Sequence, residues 1–170
     1  MGNDEVRDPQ RGHKLTVFID TAVIMYAAGD KHSLREPCRT ILRQVASGGL
    51  EAVTSAEVIQ EIFQRFSALR RLSVGAEMAR GTLDLFAPVL PVTHAVMLRM
   101  PALIERHADL SARDLVHIAT CMEEGIHTMI TPDKGLARTG EVSVFAPDDR
   151  EAISSLVRRP SQGGRGGPDR

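Results

Sequence analysis

The chain reads as an α/β domain, a three-layer α/β/α arrangement with a central parallel sheet. Two observations predict it. Short runs rich in β-branched and aromatic residues alternate with longer segments in which apolar residues recur every three or four positions. Between them fall the Ser, Thr and Gly residues that start and stop helices. Parallel strands need a crossover between them, usually a helix, so alternation along the whole chain favours a sheet covered on both faces.

Leu15 to Asp20 (LTVFID) is a short apolar run and reads as a buried strand. From Leu34 to Ser47, Leu34, Cys38, Ile41, Leu42 and Val45 keep helical spacing, and Gly48-Gly49 supplies a left-handed stop. Ala52 to Thr54 is a brief second strand. Thr54 and Glu57 then fit a capping box for a helix running to about Arg70, with Val58, Ile59, Ile62, Phe63, Phe66 and Leu69 as its apolar stripe. Ser73 opens a helix through Leu85, and Leu90 to Val92 reads as a third short strand. Thr93 caps a helix to about His107, and Ser111 caps another that stops at Gly125. His127 to Thr131 and Val142 to Phe145 are the last two strands.

This organises the chain into a flexible segment 1–13, a folded domain 14–157 and a Gly/Arg-rich tail 158–170 that composition predicts to be disordered. The tail carries +3 against a net charge of -1 for the whole chain, and reads as a solubilising end or a phosphate-attracting arm. The near-zero net charge excludes a bulk electrostatic signature of nucleic-acid binding. No apolar run reaches the roughly 18 residues of a membrane span, and the polar N-terminus does not read as a secretory signal. A cytoplasmic protein is expected, in keeping with two isolated cysteines, Cys38 and Cys121, that read as small core residues.

Four acids stand at strand ends or near helix starts: Asp20, Glu61, Asp114 and Asp133. Each has an ordinary reading. Asp20 fits a helix N-cap, Glu61 an ion pair to Arg65, Asp114 a capping box with Ser111, and Asp133 a turn. In a parallel sheet, however, sites form beyond the carboxyl ends of the strands: Asp20 ends one strand, Asp133 lies two residues past another, and Glu61 and Asp114 come from helices that could lean over the same edge. Carboxylates gathered there repel by roughly 4 kcal/mol per close pair at an effective dielectric of about 20, which calls for a cation. Oxygen ligands suit hard Mg²⁺ or Mn²⁺. Zinc is not indicated, since His32, His94, His107, His117 and His127 show no paired ligand spacing. His117, on the face of Asp114, reads as a satisfied core histidine or, alternatively, as a substrate contact.

The segments FIDTAVIMY, TSAEVIQEI, LSARDLVHIATCMEEG and MITPDKGL, in this order and at these intervals, resemble the PIN-domain ribonucleases, especially the VapC-type toxins of bacterial toxin–antitoxin pairs. The resemblance spans roughly Lys14 to Pro147. It implies a PIN-like α/β/α fold, an acidic pocket for Mg²⁺ or Mn²⁺ and endonuclease activity on RNA. Asp20, Glu61, Asp114 and Asp133 match the family's catalytic and metal-binding acids, and Thr131 its hydroxyl, with Thr21 beside Asp20. Ala22 departs from the pattern, standing where the family often has a polar residue.

The expected reaction is hydrolysis of an RNA phosphodiester. Asp20 and Asp114 are the first choices as metal ligands, and Glu61 and Asp133 complete the shell or take the proton of the attacking water. Arg65, Arg113 and Lys134, with Arg70 and Arg71, are candidates for holding phosphates. Aromatic residues make up only 4% of the chain, so recognition of a structured RNA (tRNA or rRNA) by shape is favoured over a stacking platform. The resemblance further implies a cognate antitoxin and a homodimer. The rival readings are a catalytically silent RNA- or protein-binding module and an aspartyl-phosphate phosphatase; Ala22 argues against the latter.

Overall fold

The computed structural model describes residues 15–157, so the expectations for the two ends of the chain lie outside the described residues. Four parallel strands form one sheet: β1 (Val17–Ile19), β2 (Ala52–Val53), β3 (Thr128–Ile130) and β4 (Ser143–Phe145). Their order is β2-β1-β3-β4, with Phe18 opposite Val53 on one side and Met129 on the other. β1 (VFI) and β3 (TMI) are wholly buried, as central strands of a parallel sheet are when helices cover both faces.

The helices are α1 (Thr21–Ala28), α2 (Arg35–Ala46), α3 (Ala56–Ala68), α4 (Leu72–Leu85), α5 (His94–Arg106), α6 (Ala112–Glu123) and α7 (Arg150–Leu156). They pack as neighbouring pairs, α1 on α2, α3 on α4 and α5 on α6. The α3–α4 approach is close: a Cβ placed on Gly75 would lie 2.7 Å from Phe66 Cβ, so only glycine lets the two helices meet there. Gly48 and Gly125 take left-handed conformations at φ +74° and +65°, ending α2 and α6 as anticipated.

Three expectations need correction. Leu90 to Val92 is not a strand; Leu90 makes a single bridge to Ser55, and Pro91, without an N–H, cannot extend the ladder. The Thr54–Glu57 capping box does not form. Ser55 is the N-cap of α3, and the buried Thr54 hydroxyl instead donates to the Ile19 carbonyl at 2.9 Å, tying β2 to the end of β1. Finally, α1 and α7 were not foreseen as elements. α1 is apolar almost throughout (TAVIMYAA), so no polar face marks its period.

The chain passes from β1 outward to β2, then returns across to β3 and β4. β1 and β3 are thus adjacent strands whose connections leave in opposite directions, which opens a crevice at their carboxyl ends.

Candidate active site

Asp20 follows β1 directly and Thr131 follows β3, so adjacent strands deliver both into the crevice. Thr131 Oγ1 donates to Asp20 Oδ2 at 2.6 Å and accepts from the Asp133 N–H at 3.0 Å. One buried hydroxyl therefore spans two of the predicted acids. Asp133 Oδ1 accepts from the Gly135 N–H at 2.7 Å, which closes the turn after β3.

Glu61 comes from α3. Its predicted ion pair with Arg65 is not made. Glu61 Oε1 instead accepts from His117 Nε2 on α6 at 2.7 Å, while Oε2 faces Arg113 Nη1 at 4.0 Å. His117 Nε2 also stands 3.7 Å from Asp20 Oδ1. Its ring is 1% exposed, packs against Phe18 at a centroid distance of 5.4 Å, and leaves Nδ1 without a partner.

The electrostatics follow from this burial. Desolvation, eased by His117 and Thr131, raises the Asp20 carboxyl above the ordinary carboxylate range. Burial also works against ionised Glu61, but the hydrogen bond and charge of His117, with Arg113, outweigh it and hold Glu61 below its usual range. For His117, burial opposes the charged form; the Glu61 hydrogen bond and the charge of Asp20 prevail and raise it. His117 thus faces both acids at once, hydrogen-bonded to Glu61 and 3.7 Å from Asp20.

Asp114 forms the foreseen capping box. Its Oδ2 accepts from the Ser111 N–H at 3.2 Å and the Ser111 hydroxyl at 2.6 Å. This role and membership of the site coexist, because all four acids line one cavity of about 1180 Å³. Arg65, Arg71, Arg113, Thr21 and Ala22 line it as well, whereas Arg70 and Lys134 do not. A second hollow, over α3 and the start of α4 at Ile59, Phe63 and Leu72, has no ionisable lining residue.

Each of the four carboxylates is held by one oxygen: Asp20 Oδ2, Glu61 Oε1, Asp114 Oδ2 and Asp133 Oδ1. The second oxygens of Asp114 and Asp133 carry no hydrogen bond among the described residues; Asp20 has the Thr21 N–H as a further donor and His117 Nε2 3.7 Å from Oδ1, and Glu61 Oε2 faces Arg113. Asp114 and Asp133 are thus half-anchored, preorganised donors with a hard oxygen to spare. No three His, Cys, Asp or Glu side chains among the described residues are close enough to hold a metal ion by themselves. Mg²⁺ does not require this, since it keeps several waters and binds through one or two carboxylates with substrate phosphate. The donor set therefore fits such an ion.

His117 is the functional residue that sequence reasoning undervalued. A lone histidine on an apolar helix face looks like core, and its partner Glu61 is 56 positions away. The cysteines are core, as expected: Cys38 and Cys121 are fully buried and burial pushes both thiols up to about 12.

A half-acidic crevice at the switch point of a parallel sheet is a site shared by many hydrolases. Comparison of the whole chain narrows the choice. Residues 17–142 match the PIN domain, and the chain belongs to that family. Ribonuclease VapC23 of Mycobacterium tuberculosis (strain CDC 1551 / Oshkosh) is 36% identical over 121 residues, covering 71% of this chain and 95% of the relative. Ribonuclease VapC7 of M. tuberculosis (strain ATCC 25618 / H37Rv) is 31% identical over 144 residues, covering 84% and 99%. Among solved structures, FitAB bound to an IR36 DNA fragment superposes with TM-score 0.61 at 23% identity over 77% of this chain and 94% of that one. VapBC2 from Rickettsia felis bound to a DNA fragment from their promoter gives 0.62 at 12% identity over 77% and 98%. At these identities the structures bear on the fold alone. The four-stranded parallel sheet under its helices agrees with them.

Proposed function

We propose that the chain is a VapC-type endoribonuclease that uses Mg²⁺ or Mn²⁺ to hydrolyse RNA phosphodiesters, and the toxin of a toxin–antitoxin pair. One observation carries the metal-dependent reading: four carboxylates, from the end of β1, α3, α6 and the turn after β3, line one cavity, each with one oxygen anchored by a hydrogen bond. When bound, the cation supplies Lewis-acid activation of water and offsets the charge that builds on the phosphate. Asp20 and Asp114 would hold it, with Asp133 and Glu61 completing the set.

The protein's own residues do the rest. Thr131 keeps Asp20 and Asp133 at a fixed spacing through a single hydroxyl. His117 fixes the rotamer of Glu61 and leaves Oε2 to accept a proton from the attacking water. Arg113, 50% exposed beside Glu61, and Arg65 are placed to draw phosphate to an otherwise anionic cavity.

The substrate in this reading is a structured RNA, transfer or ribosomal RNA, and a cytoplasmic location accords with it; no helix among the described residues is long and apolar enough to cross a membrane. Phe63, Leu69 and Leu72 on α3–α4, with Met97, Leu98 and Ile104 on α5, are 41–67% exposed, which supports partner surfaces for an antitoxin and a second copy. Incubation of the full chain with transfer RNA in Mg²⁺, in Mn²⁺ and in chelator, beside Asp114→Asn, tests the reading. Cleavage is expected only with metal and the parent protein; cleavage that survives both chelator and substitution rejects it.

A further inference from the structure

The rim of the acidic cavity holds a pair of rings that hydrolysis does not use. Tyr26 on α1 and His32, just beyond that helix, stack with centroids 4.5 Å apart and planes inclined by 30°. Both line the cavity that contains the four acids. His32 Nδ1 accepts a hydrogen bond from the Leu34 N–H at 3.1 Å, which fixes the rotation of the imidazole and leaves the ring proton on Nε2. His32 is exposed and Tyr26 half-buried, so the phenol backs an imidazole that is open to solvent.

The placement is informative because aromatic residues are so few. The chain has one tyrosine and no tryptophan, and that tyrosine, packed against the edge of the core, also lines the cavity of the four acids. Lys31 adjoins His32 in sequence, and Lys31, Arg65 and Arg71 line the same cavity, as do Asp30 and Glu77. A rigid, solvent-facing π surface between cationic side chains is what a nucleotide requires, the base stacking while its phosphates meet the cations.

We propose that Tyr26 and His32 form a platform on which one unpaired RNA base stacks, next to the phosphodiester that enters the acidic cavity. This rests on the ribonuclease reading and names the side chains that would hold the base: an unpaired base beside the cut, as in a loop, meets the platform, whereas a continuous duplex does not. Bases within an A-form helix are already stacked and present no free face to the platform.

The sole tyrosine makes the test direct, since intrinsic emission at tyrosine wavelengths comes from Tyr26 alone. The full-length Asp114→Asn protein in Mg²⁺ is titrated with an RNA hairpin carrying an unpaired loop and with a blunt RNA duplex of matched composition. The hairpin quenches emission saturably, and the duplex does not at the same concentration. His32→Ala, a substitution at an exposed position, weakens hairpin affinity by about tenfold, within the range base–aromatic stacking provides, while Tyr26→Phe retains affinity when a fluorophore on the RNA is followed instead. Equal quenching by duplex, or unchanged hairpin affinity in both His32→Ala and Tyr26→Leu, overturns the platform. The two readings fail separately. Hairpin binding with quenching, but no cleavage by the parent protein, leaves the platform standing and removes the nuclease; cleavage without loop preference or quenching does the reverse.

Discussion

Replacing Thr131 with valine keeps the shape of a side chain that is 1% exposed and removes only its hydroxyl. Two hydrogen bonds go with it. The bond to Asp20 Oδ2, at 2.6 Å and to a buried carboxylate, contributes about 1.5–3 kcal/mol, because its loss leaves a desolvated oxygen unpaired. The bond from the Asp133 N–H lies nearer solvent, where water replaces part of it, so its loss costs about 0.5–1 kcal/mol. The expected destabilisation is about 2–4 kcal/mol. For a domain of this size it lowers Tm by roughly 6–12 °C, at about 3 °C per kcal/mol. The effect has a pH signature. Burial already raises the Asp20 carboxyl and Thr131 opposes that rise, so the variant escapes part of the cost by protonating Asp20 in acid. The Tm difference between parent and Thr131→Val, followed by calorimetry or circular dichroism in chelator, is therefore larger at pH 8 than at pH 5. Thr131→Ser keeps the hydroxyl and loses a methyl, at about 1 kcal/mol. A Thr131→Val loss under about 2 °C, or a serine variant as unstable as the valine variant, refutes the view that this hydroxyl couples β1 to the turn after β3.

His117→Gln retains an N–H donor for Glu61, whereas His117→Leu retains only volume. In RNA cleavage at saturating Mg²⁺, glutamine is expected to keep activity within about tenfold of the parent and leucine to lose about a hundredfold or more, the range for a lost charge-assisted hydrogen bond within a catalytic group. The same pair gives a pH dependence of stability. His117 is raised in the folded protein, so its stabilising contribution is full below its unfolded value near 6.5 and fades as pH rises through the folded one; the parent in chelator loses Tm over that rise and His117→Leu does not. Gly75→Ala forces a methyl to within 2.7 Å of Phe66 Cβ and costs about 1–3 kcal/mol by urea unfolding, despite alanine's higher helix propensity.

Legibility in the sequence depended on whether the deciding contacts were local. β1 and β3 are fully buried and spell it out as short runs rich in apolar residues. α5 and α6 announce their starts because Thr93 and Ser111 accept hydrogen bonds from residues three positions ahead. Asp114 is open to two readings for the same reason: its capping box forms, and it also lines the cavity of the four acids. α1 was obscured by its uniformly apolar composition, and the short strand expected at Leu90 was undone by Pro91. Thr54 and Ser55 compete for one cap, and only the tertiary bond from Thr54 to Ile19 decides between them. The acids were legible as a set because strand ends in a parallel sheet share an edge. Their anchoring was not: the Thr131–Asp20 and His117–Glu61 bonds join residues 111 and 56 positions apart.

Mn²⁺ binding followed by electron paramagnetic resonance measures, without recourse to RNA, whether the carboxylates of this cavity take up a divalent cation. The parent protein is predicted to bind Mn²⁺ saturably and to gain Tm in proportion to the logarithm of its excess over Kd, with Asp20→Asn and Asp114→Asn each weakening binding at least tenfold. A Mn²⁺ spectrum that stays that of the free ion at millimolar protein, or binding that is indifferent to both substitutions, would contradict it.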